Sequence, residues 1–599
     1  MGKTKKQQAS LVGLFKANKV FIKELFKTGK CFIIFQIAIY ILIIPINYWV
    51  TYAPKNFIDS ITQDNNLYIA LSWIILMVIL KYAERIMMFA QDFMKKRAFS
   101  NAKLKSKNVL YQKIQLIYLS YFEDSNNLDI FNKCLSYNET GGERLVNSTI
   151  SFIRAIITLG TMTYISFQFD WWIWIAVLVV VVFEYFSDKY LKKLGFSFSM
   201  DKIKRDREQN YYNGLPTNKN SIADIKLNSS MFFFFEKYRS AFIKNRTHSE
   251  KYEIKANLFA LLFSIPNEIL FCLCYLLIGI WLLNGKASIG DYTLFFSMIT
   301  SITSQLKVII TSINSFYEQS LSAKVFNDFV ENTDIFINDN IANSNKVPDI
   351  QSITFQNVSF NYPGRPEKAL DNITLSIRKG EKISIVGFNG AGKTTFLKLL
   401  TLLYHPVDGT IKINRNDYQN IDIHDYWEKI GIVFQSHQVY AMSIKDNILL
   451  RDATPNDDEI IWKVLNDVGL SEKIKNQDEG LDLQLTRNFD PKGMDFSGGE
   501  KQRLSIAKVL AKDSDIYVFD EPSSALDSVA EDALYQSIAK IPKDKTVIMI
   551  SHRLSSVFFT DRIIFFDNGH IIADGTHDNL MENCPKYREI YRLQADKYK

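Results

Sequence analysis

The strongest chemical signal in the sequence is one glycine-rich stretch, Gly387–Thr395, which reads Gly-Phe-Asn-Gly-Ala-Gly-Lys-Thr-Thr. It follows a β-branched run at 383–386 and precedes an apolar helical pattern at 396–400, which is the strand, loop and helix context that a P-loop requires. Glycines allow the backbone to close around a phosphate chain and to direct its N–H groups at it. Lys393 is expected at the β- and γ-phosphates and the Thr394 hydroxyl at Mg²⁺, so the stretch predicts a nucleoside triphosphate site.

Two carboxylates, Asp520 and Glu521, come directly after an apolar run at 516–519. If this run is a strand beside the glycine loop, Asp520 would bind Mg²⁺ and Glu521 would polarise the attacking water. Taken alone, a strand that runs into an acidic turn is an equally good interpretation. Gln435 and His552 also follow β-branched runs, where they could contact the metal or water and the γ-phosphate. A single glutamine or histidine at such a place usually has no special role.

Two further stretches fit the same chemistry. Tyr362 lies upstream of the glycine loop, where an aromatic ring can stack on adenine, although one aromatic residue alone is more often part of a core. Ser497, Gly498 and Gly499 open a helical pattern at 501–511 and form a second place suited to phosphate. Two phosphate-binding places make sense for one nucleotide if they belong to different copies of the domain.

In combination, the order and spacing of these stretches resemble the nucleotide-binding domain of ATP-binding-cassette (ABC) transporters. The resemblance implies ATP and Mg²⁺ as ligands, with Glu521, His552 and Gln435 in catalysis and Thr394, Gln435 and Asp520 near the metal. It also implies a D-loop at Ser524–Asp527. Nucleotide contacts are implied for Tyr362, Gly387, Asn389, Gly390, Gly392, Lys393, Thr394, Thr395, Ser497, Gly498, Gly499 and Asp527. The family signature usually reads Leu-Ser-Gly-Gly-Gln, and here Phe496 and Glu500 replace its ends. We expect function to survive, with the acid at 500 slowing closure on an opposed phosphate.

The composition indicates a membrane protein. Of 599 residues, 47% are hydrophobic, and 44 are Phe and 29 Tyr, and the first half of the chain holds most of the long apolar runs. The net charge of +7 arises mainly in loops between these runs, which the positive-inside rule explains better than nucleic-acid binding. The five cysteines have no metal-ligand spacing and are interpreted as free thiols.

The fold class that follows is a multi-domain chain, in which an all-α transmembrane domain of six spans precedes an α/β P-loop ATPase domain. Lys- and Arg-rich loops alternate with short loops poor in both, so the chain is expected to cross the cytoplasmic membrane several times with both termini cytoplasmic. Short transverse helices are expected at 126–135 and 213–226. The predicted divisions are an N-terminal segment with an elbow helix at 1–30, a transmembrane domain at 31–330, a linker at 331–350 and a nucleotide-binding domain at 351–599, with spans near 31–52, 67–90, 146–168, 171–187, 257–283 and 292–316, each near the ~20 residues that a bilayer requires.

Spans fused to one such ATPase domain resemble a half-transporter of the exporter type. The resemblance implies a dimer, and because Glu521 and His552 are both present, a homodimer with two active sites is favoured. The cargo is expected to be a peptide or another amphipathic compound, with a lipid or lipid-linked oligosaccharide flippase, a multidrug pump and an ATP-gated channel or regulator as the alternatives. Arg154, Glu184, Glu268 and Lys307 are ionisable residues in the spans and either pair with one another or line a cavity for a polar substrate.

Overall fold

The computed structural model describes residues 11–167, 172–332, 347–523, 526, 528–551, 557 and 559–595. The chain divides into two compact units. The first comprises Met1–Gln115 and Ser125–Asn332, and the second comprises Leu116–Asp124 and Thr333–Lys599. The sequence alone assigned the whole of 31–330 to the membrane domain, so the placement of Leu116–Asp124 differs from that expectation.

The first unit is built from helices in the part of the chain that the structure describes. Their bounds are α1 Leu11–Ala17, α2 Lys19–Thr28, α3 Lys30–Thr62, α4 Leu67–Ile114, α5 Ser125–Ser166, α6 Trp172–Gly214, α7 Lys219–Leu227, α8 Met231–Leu283 and α9 Ile289–Glu331. Helices α4, α5, α6, α8 and α9 each contain 42 to 53 residues. At a rise of 1.5 Å per residue they are about 63–80 Å long, about twice the thickness of a hydrocarbon core. The helices therefore continue well beyond the predicted apolar spans.

Four helical segments of the described residues are long and apolar enough to cross a membrane: Lys30–Thr62, Leu67–Ile114, Asn126–Ser166 and Ile289–Glu331. Large apolar side chains are exposed along α3, α4 and α8, among them Ile34, Ile75 and Leu261. Contiguous exposed apolar surface of this kind is what a lipid-facing helix presents. The unit is therefore a multi-pass membrane bundle, and the count of six spans stays a prediction.

Local polar contacts fix the ends of these helices at the short connections. The Asn66 side chain accepts hydrogen bonds from the first-turn N–H groups of α4, and Ser288 and Asp291 form a reciprocal capping box at the start of α9. Asp291 also receives the Lys55 ammonium at 2.5 Å, which joins α3 to α9. The hairpin ends are thus specified by side chains close to the turns.

One of the two predicted transverse helices is wrong. Residues 126–135 are the first turns of the continuous helix α5, and the irregular segment lies earlier, as a 3-10 helix at Leu119–Glu123. The second prediction is close to the structure, which has a 3-10 turn at Leu215–Thr217 followed by α7. The N-terminal elbow is a pair of helices, α1 and α2, which meet at the buried residue Asn18.

The second unit is an α/β domain. Its strands are β1 Ser352–Phe360, β2 Leu370–Arg378, β3 Lys382–Gly387, β4 Asp408–Ile413, β5 Asn416–Asp417, β6 Ile430–Val433, β7 Ile516–Asp520, β8 Thr546–Ile550, β9 Arg562–Asp567 and β10 His570–Gly575. Its helices are α10 Lys393–Leu400, α11 Ile423–Glu428, α12 Ile444–Leu449, α13 Asp457–Asp467, α14 Ser471–Lys475, α15 Gly498–Leu510, α16 Ser528–Ala539, α17 His577–Asn583 and α18 Pro585–Ala595.

Ten strands of the described residues form two sheets. One is antiparallel, in the order β2-β1-β4-β5, and the other runs β10-β9-β3-β8-β7-β6. In the second sheet β3 pairs in parallel with β8 and β9, and β7 pairs in parallel with β6 and β8. The carboxyl ends of these strands therefore meet at one edge, which is where ligands bind in sheets of this type.

The central strands are buried on both faces. On β7, Ile516 and Val518 belong to one apolar cluster, while Tyr517 and Phe519 belong to another. Because side chains alternate across a strand, this division places a separate core on each face of the sheet. The edge that carries the functional residues is held between two packed layers.

Candidate nucleotide site

The glycine loop joins β3 to α10 in the geometry that the sequence predicted. Gly392 has a φ of +99°, a conformation that residues with a Cβ rarely adopt, and it immediately precedes α10. A Cβ at Gly387 would lie 2.2 Å from the carbonyl oxygen of Phe566 on the neighbouring strand β9. These two positions require glycine, one for its backbone conformation and the other for space.

Lys393 is folded back over this loop. Its Nζ donates to the carbonyl oxygens of Gly387 at 2.8 Å and Phe388 at 2.9 Å, and the side chain is buried. Burial lowers the pKa of Lys393, while the charges of Glu521 and Asp520 act in the opposite direction. An ammonium held against this glycine loop is a suitable partner for a phosphate chain.

The Thr394 hydroxyl lies beside the end of β7, with its Oγ1 3.4 Å from the Asp520 Oδ2. Burial, and then the charge of Glu521, raise the pKa of Asp520 to about 6. A desolvated carboxylate next to a hydroxyl is a donor set that suits Mg²⁺, which binds hard oxygen ligands. The residues present therefore fit this metal, which would also offset the charge repulsion between the two acids.

Glu521 is held in a strained backbone conformation, with a φ of +52°. Its N–H donates to the Ile550 carbonyl at 2.9 Å, and its own carbonyl accepts from the Gln502 Nε2 at 3.1 Å. The Gln435 Nε2 donates to its carboxylate at 3.0 Å. Two contacts to its backbone and one to its carboxylate thus hold this acid at the sheet edge. Gln502 is a fully buried residue of α15, and no local sequence pattern signals its contact with Glu521.

Tyr362 closes the other side of the loop. Its hydroxyl lies 2.9 Å from the Thr395 Oγ1, and its ring packs edge-on against Phe360 and Tyr404. The Lys398 Nζ lies 5.3 Å from the centre of the Tyr362 ring. The tyrosine is therefore tied to the first turns of the helix that follows the glycine loop.

Several of these groups line a pocket of about 480 Å³, a size typical of small-molecule sites. Nine of the predicted nucleotide-site residues line it: Tyr362, Asn389, Gly390, Gly392, Lys393, Thr394, Thr395, Gln435 and Glu521. The lining also includes Arg365 and Lys368, two cations that sequence reasoning did not single out. His552 and Asp527 lie outside the described residues.

The Ser497–Gly499 stretch begins α15, as expected, but the Ser497 side chain makes its hydrogen bond within its own helix. The Ser497 side chain accepts from the Glu500 N–H at 3.3 Å, and the Glu500 carboxylate accepts from the Ser497 N–H at 2.8 Å. The same carboxylate receives the Lys473 ammonium at 2.6 Å. Glu500 is therefore the second half of a capping box and is directed back along its own chain. Among the described residues that line the pocket, none belongs to Ser497–Gly499.

The segment Leu116–Asp124 packs within the same unit. The Leu119 N–H donates to the Leu403 carbonyl at 3.0 Å, and the Tyr404 hydroxyl donates to the Glu123 carboxylate. The Lys398 Nζ lies 3.8 Å from the same carboxylate. Lys398 also lies over the Tyr362 ring. The side chain of Lys398 therefore links this segment to the predicted adenine-binding side of the pocket.

The four candidate residues in the spans do not come together as a group among the described side chains. Arg154 forms an ion pair with Glu84, which the sequence analysis did not single out, at 2.7 Å. Glu268 and Lys307 are exposed, and the side chain of Glu184 lies outside the described part of the chain. Glu84 could have been identified from the sequence, because it is a carboxylate within the apolar run that begins α4.

The comparisons with known proteins agree with this geometry. The family model for the ABC transporter domain matches residues 370–524. The subtilin transport ATP-binding protein SpaT of Bacillus subtilis is 30% identical over 78% of this chain and 76% of its own length. The nisin transport ATP-binding protein NisT of Lactococcus lactis subsp. lactis is 29% identical over 79% of both chains. A bacterial Atm1-family ABC exporter with ATP bound has the same fold, with a TM-score of 0.83 over 95% of this chain and 99% of that one, at 20% identity.

Proposed function

The chain belongs to the ABC transporter family, and we propose that it is one half of an ATP-driven pump that exports a peptide through the cytoplasmic membrane. Within this family, an ATPase unit drives export by a membrane unit, and the chain has both. The function therefore requires ATP binding in the second unit and a path for cargo in the first.

The proposal of a peptide substrate is supported by the extent of the sequence similarity to two transporters. The proteins named for transport of subtilin and nisin, which are peptide bacteriocins, align with more than three quarters of this chain. Such an alignment extends beyond the ATPase unit into the helices that would meet the cargo. This supports a related class of substrate in addition to a related source of energy.

Each of the pocket residues is assigned a separate role in ATP binding and hydrolysis. Lys393 would hold the phosphate chain, and Tyr362 would support the adenine. Thr394 and Asp520 would hold Mg²⁺, which neutralises phosphate charge when bound. The Glu521 carboxylate, fixed by Gln435, would orient and polarise the attacking water.

The pump is proposed to act as a homodimer. Members of this family that have one ATPase unit generally work as dimers, and Ser497 starts a helix at a site that does not line its own pocket among the described residues. A second copy would place this N-terminus over the nucleotide, where backbone N–H groups suit phosphate. ATP would then bind the closed pair better than the open pair, and hydrolysis would release it.

The membrane orientation follows from charge. The long connections that are rich in lysine and arginine would face the cytoplasm, with both termini on that side. The three short connections would face outward. Closure of the ATPase units would then turn a cavity in the helical unit from the inner to the outer side.

The test uses the full chain reconstituted in liposomes, with ATP added to ATPase units that face outward. We expect ATP-dependent uptake of fluorescently labelled nisin and stimulation of ATP hydrolysis by the peptide. Glu521→Gln should bind ATP and lose both activities, because an amide cannot polarise water as a carboxylate does. The exposed acid Glu479 offers a matched control, and Glu479→Gln should behave like the wild type.

Two outcomes would refute the proposal. Translocation of a labelled phospholipid without peptide uptake would identify a flippase, which is the main alternative. Hydrolysis by Glu521→Gln at the wild-type rate would show that the catalytic acid lies elsewhere.

A further inference from the structure

A second cavity, of about 590 Å³, lies within the first unit between α3, α4, α5 and α9. Its lining combines apolar groups with serine, threonine, asparagine and glutamine side chains and with three ionisable residues, Lys81, Glu84 and Arg154. A cavity lined by apolar groups and a few convergent polar groups is typical of a ligand site. It is separate from the nucleotide pocket, which lies in the second unit.

The three ionisable groups leave an excess of positive charge. Arg154 and Glu84 form an ion pair at 2.7 Å, and their side chains are 31% and 30% exposed. Lys81 lies one turn before Glu84 on the same helix and lines the same cavity. Within the part of the chain that the structure describes, Lys81 has no ion-pair partner. The cavity therefore contains one cation more than its own anions neutralise.

The depth of this charge makes it costly. Counted from the short-connection ends of their helices, Lys81 lies about 21 Å and Arg154 about 18 Å along the bundle at 1.5 Å per residue. Both positions fall within a hydrocarbon core of about 30 Å. A cation at such a depth is expensive unless it faces water or an anionic partner.

The remaining polar groups indicate what accompanies the anion. The Asn47 Nδ2 donates to the Thr158 Oγ1 at 3.0 Å on one side of the cavity, and Ser301 and Gln305 of α9 lie on another. Hydroxyl and amide side chains can donate to carbonyl groups and accept from N–H groups. A peptide main chain presents both kinds of group, whereas a hydrocarbon tail presents neither.

We propose that this cavity recognises a carboxylate of the exported peptide, with Lys81 as the residue that receives it. The inference rests on the proposed peptide export and adds the chemical group of the peptide that the cavity recognises. The Glu84–Arg154 pair limits the site to one free cation, so it accepts a single negative charge. Lys81 is thus a specificity-determining residue of the helical unit.

The test compares one synthetic amphipathic peptide in two forms, with a free C-terminal carboxylate or a C-terminal amide and no other acid. In wild-type proteoliposomes, we expect half-maximal stimulation of ATP hydrolysis at about tenfold lower concentration of the acid form, which corresponds to about 1.4 kcal/mol. Lys81→Met should remove this difference, and Lys81→Arg should keep it. Lys307→Met, which removes an exposed cation that does not line the described cavity, should also keep it.

A variant with the opposite expected effect distinguishes loss of the site from a folding defect. Glu84→Gln leaves both cations without their acid, so the preference for the acid form should increase. Equal responses of the wild type to the two forms would overturn the carboxylate site and leave peptide export intact. A response to neither form, or to anionic phospholipid alone, would overturn both proposals.

Discussion

Replacing Glu500 by glutamine separates two roles that its carboxylate has at the start of α15. As the third helical residue, it accepts a hydrogen bond from the Ser497 N–H at 2.8 Å. As an anion, it pairs with Lys473 at 2.6 Å, where the side chains are 41% and 16% exposed for Lys473 and Glu500 respectively. Glutamine can keep the first contact and loses the charge of the second.

The magnitudes follow from these contacts. A capping interaction contributes about 1 kcal/mol, and a partly exposed ion pair about 0.5 kcal/mol. We therefore expect Glu500→Gln to lower the free energy of unfolding of the second unit by about 0.5 kcal/mol and Glu500→Ala by about 1.5 kcal/mol. Because the carboxylate is directed to its own chain, Glu500→Gln should change the rate of ATP hydrolysis less than about twofold, which is under 0.5 kcal/mol.

The charge contribution has a defined pH dependence. Burial acts to raise the pKa of Glu500, but the hydrogen bonds from Lys473 and from the Ser497 N–H outweigh it and hold the pKa below its usual value of 4.5. A carboxyl group of this kind stabilises the fold above its unfolded pKa, and the contribution is lost as the pH falls through the folded pKa. The difference between wild type and Glu500→Gln should be full at neutral pH and should decline as the pH falls below the usual pKa of 4.5 and through the lower pKa of the folded state.

The assay is urea denaturation of the purified full chain, followed by the release of a fluorescent ATP analogue, which reports on the second unit. With a slope of about 2 kcal/mol per molar urea, the midpoint should fall by about 0.25 M for the glutamine variant and about 0.75 M for the alanine variant. Lys473→Met should add nothing to Glu500→Gln. A glutamine variant as unstable as the alanine variant would refute the capping role, and hydrolysis accelerated severalfold by glutamine would show that the acid acts on the opposed phosphate.

Three further substitutions test the pocket and the segment packed beside it. Thr395→Val removes the partner of the Tyr362 hydroxyl and should weaken ATP affinity about fivefold, or about 1 kcal/mol, as measured by titration with a fluorescent ATP analogue; unchanged affinity would contradict the anchoring role. Gly392→Ala forces a Cβ onto a φ of +99° and should destabilise the second unit by about 1–3 kcal/mol in the urea assay; a wild-type midpoint would disprove the strain. Glu123→Gln weakens the hydrogen bond from Tyr404 and should lower the same midpoint by an amount that corresponds to about 1 kcal/mol; a rise in the midpoint would contradict a stabilising role for this contact.

The residues of the candidate nucleotide pocket could be predicted because its parts are local. A glycine loop between a strand and a helix, and acids at the ends of parallel strands, are determined by residues within a few positions of each other. The carboxyl ends of β3 and β7 lie at the same edge of the sheet, and there the Thr394 Oγ1 lies 3.4 Å from the Asp520 Oδ2. This is why nine of the candidate residues line one pocket.

The contacts that sequence reasoning missed are between residues far apart in the chain. Lys473 meets Glu500 across 27 residues, and Tyr404 meets Glu123 across 281. A pattern of propensities within a window cannot register such pairs. The misplaced transverse helix has a local cause, since residues 126–135 are good helix formers that continue into α5, and the break occurs before them at Leu119–Glu123.

The nine residues Leu116–Asp124 also affect how this protein could be recombined. Leu116 is only 5% exposed and is part of the apolar core of the second unit, and its burial contributes about 2 kcal/mol. A fragment that begins at residue 347 would therefore lack a piece of its own interior. Exchange of ATPase units between such transporters, by evolution or by design, has to transfer this insert from the other half of the chain as well.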